Sequence, residues 1–134
     1  MNKIILITAA IMGLLSIIIG AFAAHGLKPH VSPENLQTLE TGVRYQMYHA
    51  LFLLFIGSSP LVTSGYKTII FYLVICGVIL FSGSIYLLTL GIVPSKYVWF
   101  VTPVGGLLLL AFSWLPLIAT CLGTIVFYAI YILN

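Results

Sequence analysis

His25, His30 and His49 are the side chains of this sequence whose unperturbed charge changes near neutral pH. An imidazole can relay protons, ligate a metal or contact a lipid headgroup. His49 lies in the stretch RYQMYHAL, 44–51. On a helix Thr41, Tyr45 and His49 are four apart and share one face, Arg44 and Tyr48 share the adjacent face, and Gln46 points elsewhere. His25 and Gly26 close the first apolar run. If the next helix packs antiparallel on the first, His25 approaches His49 and, with Gly26, Tyr45 and Gln46, forms a polar cluster. Two readings of that cluster stay open. It lines a pathway for a small molecule, a lipid or a proton, or its histidines are hydrogen-bonded pins between helices.

Other chemistries find less to work with. Two histidines and Glu40 lack a third ligand at any fixed spacing, so no metal and no cofactor are expected. His30 reads as solvated. Ser82 and Ser84 are hydroxyls without a base in their own segment, and the sequence holds no aspartate. An ion-coupled carrier or voltage sensor would show intramembrane carboxylates or an arginine series. The expectation is a protein that is not an enzyme and has no catalytic residues.

The elements that must position these groups follow from composition. Of 134 residues, 62% are hydrophobic and 5% charged, with a mean hydropathy of +1.23. Soluble domains carry about a quarter charged residues, so a soluble fold has no surface here to build from. The net charge of +3 is scattered over Lys3, Lys28, Arg44, Lys67 and Lys96 against Glu34 and Glu40. It forms no basic patch, so nucleic acid is not a partner. The basic residues sit near segment ends, as snorkelling anchors do. Cys76 and Cys121 lie deep in apolar runs and read as inert packing residues.

A helix needs about 20 apolar residues to cross the hydrocarbon core. Four such stretches occur, at about 4–24, 45–62, 68–90 and 103–133. The last should kink at Pro116. Ala21-Phe22-Ala23 has the form of a signal-peptidase site, but the run before it exceeds the roughly 7–15 residues of a signal peptide, and it is read as a helix that stays. Tyr97, Trp99 and Phe100 beside Lys96 mark an interfacial belt. The fold class is all-α, an integral membrane bundle of four transmembrane helices forming one domain over 1–134. A short amphipathic interfacial helix lies between the first and second spans. It starts at SPEN, 32–35, with Ser32 as N-cap and Pro33 in the first helical position, and bends at Gly42 into the second span. Glu40 and Arg44 can pair on it.

The third polar group is glycine-rich. FSGSIY, 81–86, and TPVGG, 102–106, place Ser82, Gly83, Ser84, Tyr86, Pro103, Gly105 and Gly106 where helices can approach closely. Gly13, Ser16 and Gly20 make a similar stripe in the first span. Substituting leucine at Gly83 is expected to disrupt folding.

GAFAAHGL, TGVRYQMYHAL, LFSGSIYLL and VTPVGG, in this order across most of the chain, resemble the small bacterial inner-membrane proteins typified by YgdD and YwdK, a family of unknown function. The resemblance implies a four-span helical protein with both termini cytoplasmic, and brings no biochemical activity. It singles out His25, Gly26, Tyr45, Gln46, His49, Ser82, Gly83, Ser84, Tyr86, Pro103, Gly105 and Gly106 as positions that match the family's motifs. Where the family usually has glycine, this chain has Ala23. Glycine stripes, little extramembrane mass and no catalytic set favour a non-enzymatic multi-pass membrane protein, and the resemblance implies the bacterial inner membrane. Its partners are the lipid bilayer and either further copies of itself or another membrane protein. The pathway lined by His25, Tyr45 and His49 is the alternative.

Overall fold

The computed structural model describes residues 2–60, 62–98 and 100–110, and the described residues are helical with no strands. Helix α1 spans Asn2–Phe22 and continues as a π-helical turn, π1, over Ala23–Leu27. Helix α2 spans Pro33–Ser58. Helix α3 (Ser64–Val78), a second π-helical turn, π2 (Ile79–Gly83), and α4 (Ser84–Thr89) run on without a gap. A short α5 (Ser95–Val98) precedes a helix over 101–110. The fourth apolar stretch beyond residue 110, with Pro116 and Cys121, and Trp99 of the aromatic belt lie outside the described residues.

Among the described residues, two helices are long and apolar enough to cross a membrane, Asn2–Leu27 and Ser64–Thr89. Local sequence explains their ends. Gly91, at φ 68, stops α4, since only glycine takes that backbone region without strain. The Gly91 amide donates to Leu88 O at 3.1 Å and the Ile92 amide to Leu87 O at 3.0 Å, a Schellman termination. Ser32 caps α2 as expected, its Oγ accepting from the Asn35 amide at 3.2 Å, with Pro33 following.

Helix α2 differs from the expected interfacial helix that bends at Gly42. It is one uninterrupted helix of 26 residues, about 39 Å long. Gly42 does not break it, because the glycine is buried where α4 crosses. A Cβ there would lie 3.0 Å from both Ile85 Cγ2 and Tyr86 Cε1. The polar first turns and the apolar last turns are two ends of one rod.

The helices pack antiparallel in sequence order. On α1 and α2, Gly20 meets Val43, Gly13 meets Ala50 and Met47, and Gly57 meets Leu6 and Ile5. The core draws on Ile5, Ala9 and Met12 of α1, Ala50, Leu53 and Ile56 of α2, Ile70, Phe71, Val74 and Val78 of α3, and Leu109 of the last described helix. Cys76 is exposed on α3 and not buried, since the faces of α3 that pack inward are those of Phe71, Val74 and Val78.

Candidate functional site

The polar side chains inside the bundle are placed by the crossings just described. Gln46 is the most connected. Its Nε2 donates to Met12 O of α1 at 3.0 Å, and its Oε1 accepts from the Tyr86 hydroxyl of α4 at 3.0 Å. Ser16 Oγ donates to the same Met12 carbonyl at 2.9 Å. The side chain that helical geometry leaves pointing away from His49 therefore ties α1, α2 and α4 together.

Ser82 and Ser84 form a second pair of ties. They are two apart, so on a helix they face different neighbours. Ser82, fully buried in π2, donates to Gly42 O of α2 at 2.8 Å. Ser84 shares a hydrogen bond of 2.7 Å with Thr102 Oγ1 and also donates to Phe81 O at 2.8 Å. SGS thus holds the rod from α3 to α4 between α2 and the helix over 101–110. Gly105 permits the closest approach here, as a Cβ would lie 2.5 Å from the Phe81 amide nitrogen. A Cβ on Gly106 would lie 3.4 Å from the Phe81 ring, and Pro103 is exposed. Around Gly83, between the serines, no described atom lies within 4 Å of where a Cβ would stand, so the expected disruption by leucine there has no contact to act through.

The histidines are not brought together. His49 is buried in α2, its Nδ1 2.8 Å from Tyr45 O and its ring stacked on Tyr45 at a centroid distance of 6.4 Å. Tyr45 also meets Phe81, centroid to centroid 4.9 Å. His25 lies in π1, exposed, with Nδ1 3.1 Å from Ala21 O, and Gly26 follows it. In the antiparallel register His49 stands level with the middle of α1. His25 stands about 11 residues further along, about 16 Å at 1.5 Å per residue. The cluster expected from the sequence separates into a part on α2, where Gln46 and His49 are buried beside an exposed Tyr45, and an end part (His25, Gly26). His30 is exposed, and no group of three metal-ligating residues occurs among the described residues.

Sequence reasoning missed Lys67. It is buried, 4% exposed, and its Nζ lies 3.4 Å from Gly57 O in the last turn of α2. An ammonium there meets the negative end of the helix dipole, so it is a helix cap and not a snorkelling anchor. Met12 O and Thr102 were missed as well. A backbone acceptor leaves no mark in sequence, but Ser16, four residues after Met12, lay on the small-residue stripe.

Comparison with known proteins places these motifs in a family. A family model described as "Protein of unknown function (DUF423)" matches residues 19–106. The UPF0382 membrane protein SH2409 of Staphylococcus haemolyticus is 40% identical over 87% of this chain and 93% of its own length. The UPF0382 membrane protein YwdK of Bacillus subtilis is 36% identical over 87% of this chain and 94% of its own. The UPF0382 inner membrane protein YgdD of Escherichia coli is 36% identical over 82% of this chain and 83% of its own. No solved structure matches the chain.

Proposed function

The chain belongs to the DUF423 family of UPF0382 membrane proteins, and from that premise we propose that it is a non-enzymatic, multi-pass protein of the bacterial inner membrane that acts by associating with copies of itself or with another membrane protein. The observation that carries this reading is how the interior polar groups are used. Among the described residues, no buried side-chain nitrogen or oxygen lacks a hydrogen-bond partner. Gln46, Ser82 and Ser84 spend their bonds on neighbouring helices. A nucleophile or general base needs a group that a substrate can reach, and these groups are committed to holding helices. What the bundle offers to other molecules is its outward surface.

In this reading four helices cross the bilayer: α1, α2, the rod from α3 to α4, and the helix that begins at 101. The first turns of α2 stand in the interface, and both termini are cytoplasmic. His49 acts as internal packing beneath the exposed Tyr45 ring, and neither is part of a route shared with His25.

Cross-linking in intact membranes, followed by sizing in lipid nanodiscs, tests the association. A species of two or more chains, or a stoichiometric second protein, is expected. A strictly monomeric particle with nothing bound would overturn it.

A further inference from the structure

The register of α1 on α2 sets heights along the bundle, and one exposed charged group stands level with apolar neighbours. With Gly20 beside Val43 and Gly13 beside Met47 and Ala50, Arg44 lies level with Ile18 and Ile19. That is about 8 Å short of Ala24, where the apolar run of α1 ends. At this height Ile17 and Ile18 are exposed on α1, and the Arg44 side chain is 63% exposed on α2. One side of the bundle presents hydrocarbon and another presents a guanidinium.

A charged side chain at such a depth is accommodated by reaching toward the interface or by drawing polar headgroups inward. Arg44 already reaches that way. Its Nη2 donates to Glu40 Oε2 at 3.0 Å, and Glu40 is one turn nearer the end at which α2 begins. This bond uses one of five N–H donors. The planar fork that remains suits a phosphate. A free phosphate ion would have to leave water for a depth at which isoleucines face outward, whereas a phospholipid carries its phosphate there on acyl chains. Tyr45 and Tyr48, both exposed and edge-to-face at 6.1 Å, continue the face below Arg44 with the amphipathic rings that favour headgroup level.

We propose that the outward face of α2 holds the phosphate of a membrane phospholipid, drawn below the plane of its neighbours, with the Arg44 guanidinium as anchor and the Glu40 carboxylate competing for it. The site lies on the outer surface and does not depend on the association proposed above.

Native mass spectrometry in phosphate-free buffer tests it, with phosphatidylglycerol as probe and diacylglycerol, which lacks the phosphate, as control. Wild type should retain phosphatidylglycerol in preference to diacylglycerol. Arg44→Gln should weaken retention about fivefold, the scale of one basic contact near a membrane surface. Arg44→Lys should recover part of it. Glu40→Gln, which removes the competing carboxylate, should strengthen retention. Equal retention by wild type, Arg44→Gln and Glu40→Gln would overturn the proposal. So would a dimer that Arg44→Gln dissociates while lipid retention is unchanged, because the face would then be covered by a second copy.

Discussion

The Tyr86 hydroxyl donates to Gln46 Oε1 at 3.0 Å, although the two residues are 40 apart in sequence. The other end of the same amide donates to Met12 O. A glutamine side chain has one acceptor oxygen and two donor hydrogens, and here both ends bond to different helices. Orientation of the amide is thus dictated by a carbonyl on one side and a hydroxyl on the other.

Replacing Gln46 with leucine keeps the volume and removes both ties. Hydrogen bonds between membrane helices average about 0.6 kcal/mol and reach about 1.7. Gln46→Leu should therefore destabilise the bundle by about 1–3 kcal/mol, including the cost of leaving the Tyr86 hydroxyl without its glutamine acceptor. Tyr86→Phe should cost about 0.6 kcal/mol, and adding it to Gln46→Leu should cost less than it does alone. Unfolding in bicelles, read as a double-mutant cycle, checks this. Fully additive effects would show that the bond contributes nothing.

Gly105 and Gly83 should respond in opposite ways to the same methyl group. At Gly105 the new Cβ meets the backbone of Phe81, which cannot rotate aside. Gly105→Ala should cost about 1–3 kcal/mol, the usual scale of overpacking. Gly83→Ala meets no described atom and adds up to about 1 kcal/mol of helix propensity, so it should be neutral or mildly stabilising. Melting in detergent with both variants side by side distinguishes them.

The separation of the histidines is open to a chemical test. In a chain with Cys76→Ala and Cys121→Ala, the pair Gly20→Cys and Val43→Cys should form a disulfide on mild oxidation. The position of Gly20 places a Cβ 3.4 Å from Val43 Cγ1, within the reach that a disulfide requires. The pair His25→Cys and His49→Cys should stay unlinked, being about 16 Å apart along the axis. Cross-linking of the second pair would restore the shared histidine site.

These outcomes mark where sequence is informative. SPEN is legible because capping is local: Ser32, Pro33 and Asn35 carry it within four residues. The close approach at Gly105 is legible in kind, since adjacent glycines in an apolar run have few other uses, but its partner is not. Gly83 shows the limit of that signal, as a glycine between two bonded serines looks the same in sequence whether or not a helix touches it. The meeting of His25 and His49 fails on register. Antiparallel packing follows from short connections, but the offset of one helix along the other is set by contacts such as Gly57 on Leu6, which no short motif encodes. The continuity of α2 is hidden for a related reason: Gly42 weakens a helix locally, and only the packing of α4 against it explains why the helix runs on.

Lys67 gives the sharpest test of a feature the sequence conceals. Its Nζ lies at the carboxyl-terminal end of α2, 3.4 Å from Gly57 O, with 4% of the residue exposed. Burying a charge is costly, and an apolar residue of similar length often replaces a buried charge at little loss. Lys67→Met should therefore change stability by no more than about 1 kcal/mol, because the lost dipole interaction is offset by the desolvation cost that the buried charge no longer incurs. Lys67→Glu sets a negative group against the negative end of α2 and should cost at least about 2 kcal/mol, since the favourable dipole term is reversed and the carboxylate meets the Gly57 carbonyl, another acceptor. Thermal unfolding of the three proteins in the same detergent reads the order directly. Equal loss in Lys67→Met and Lys67→Glu would show that the ammonium, and not the sign of the charge beside α2, is what the fold requires.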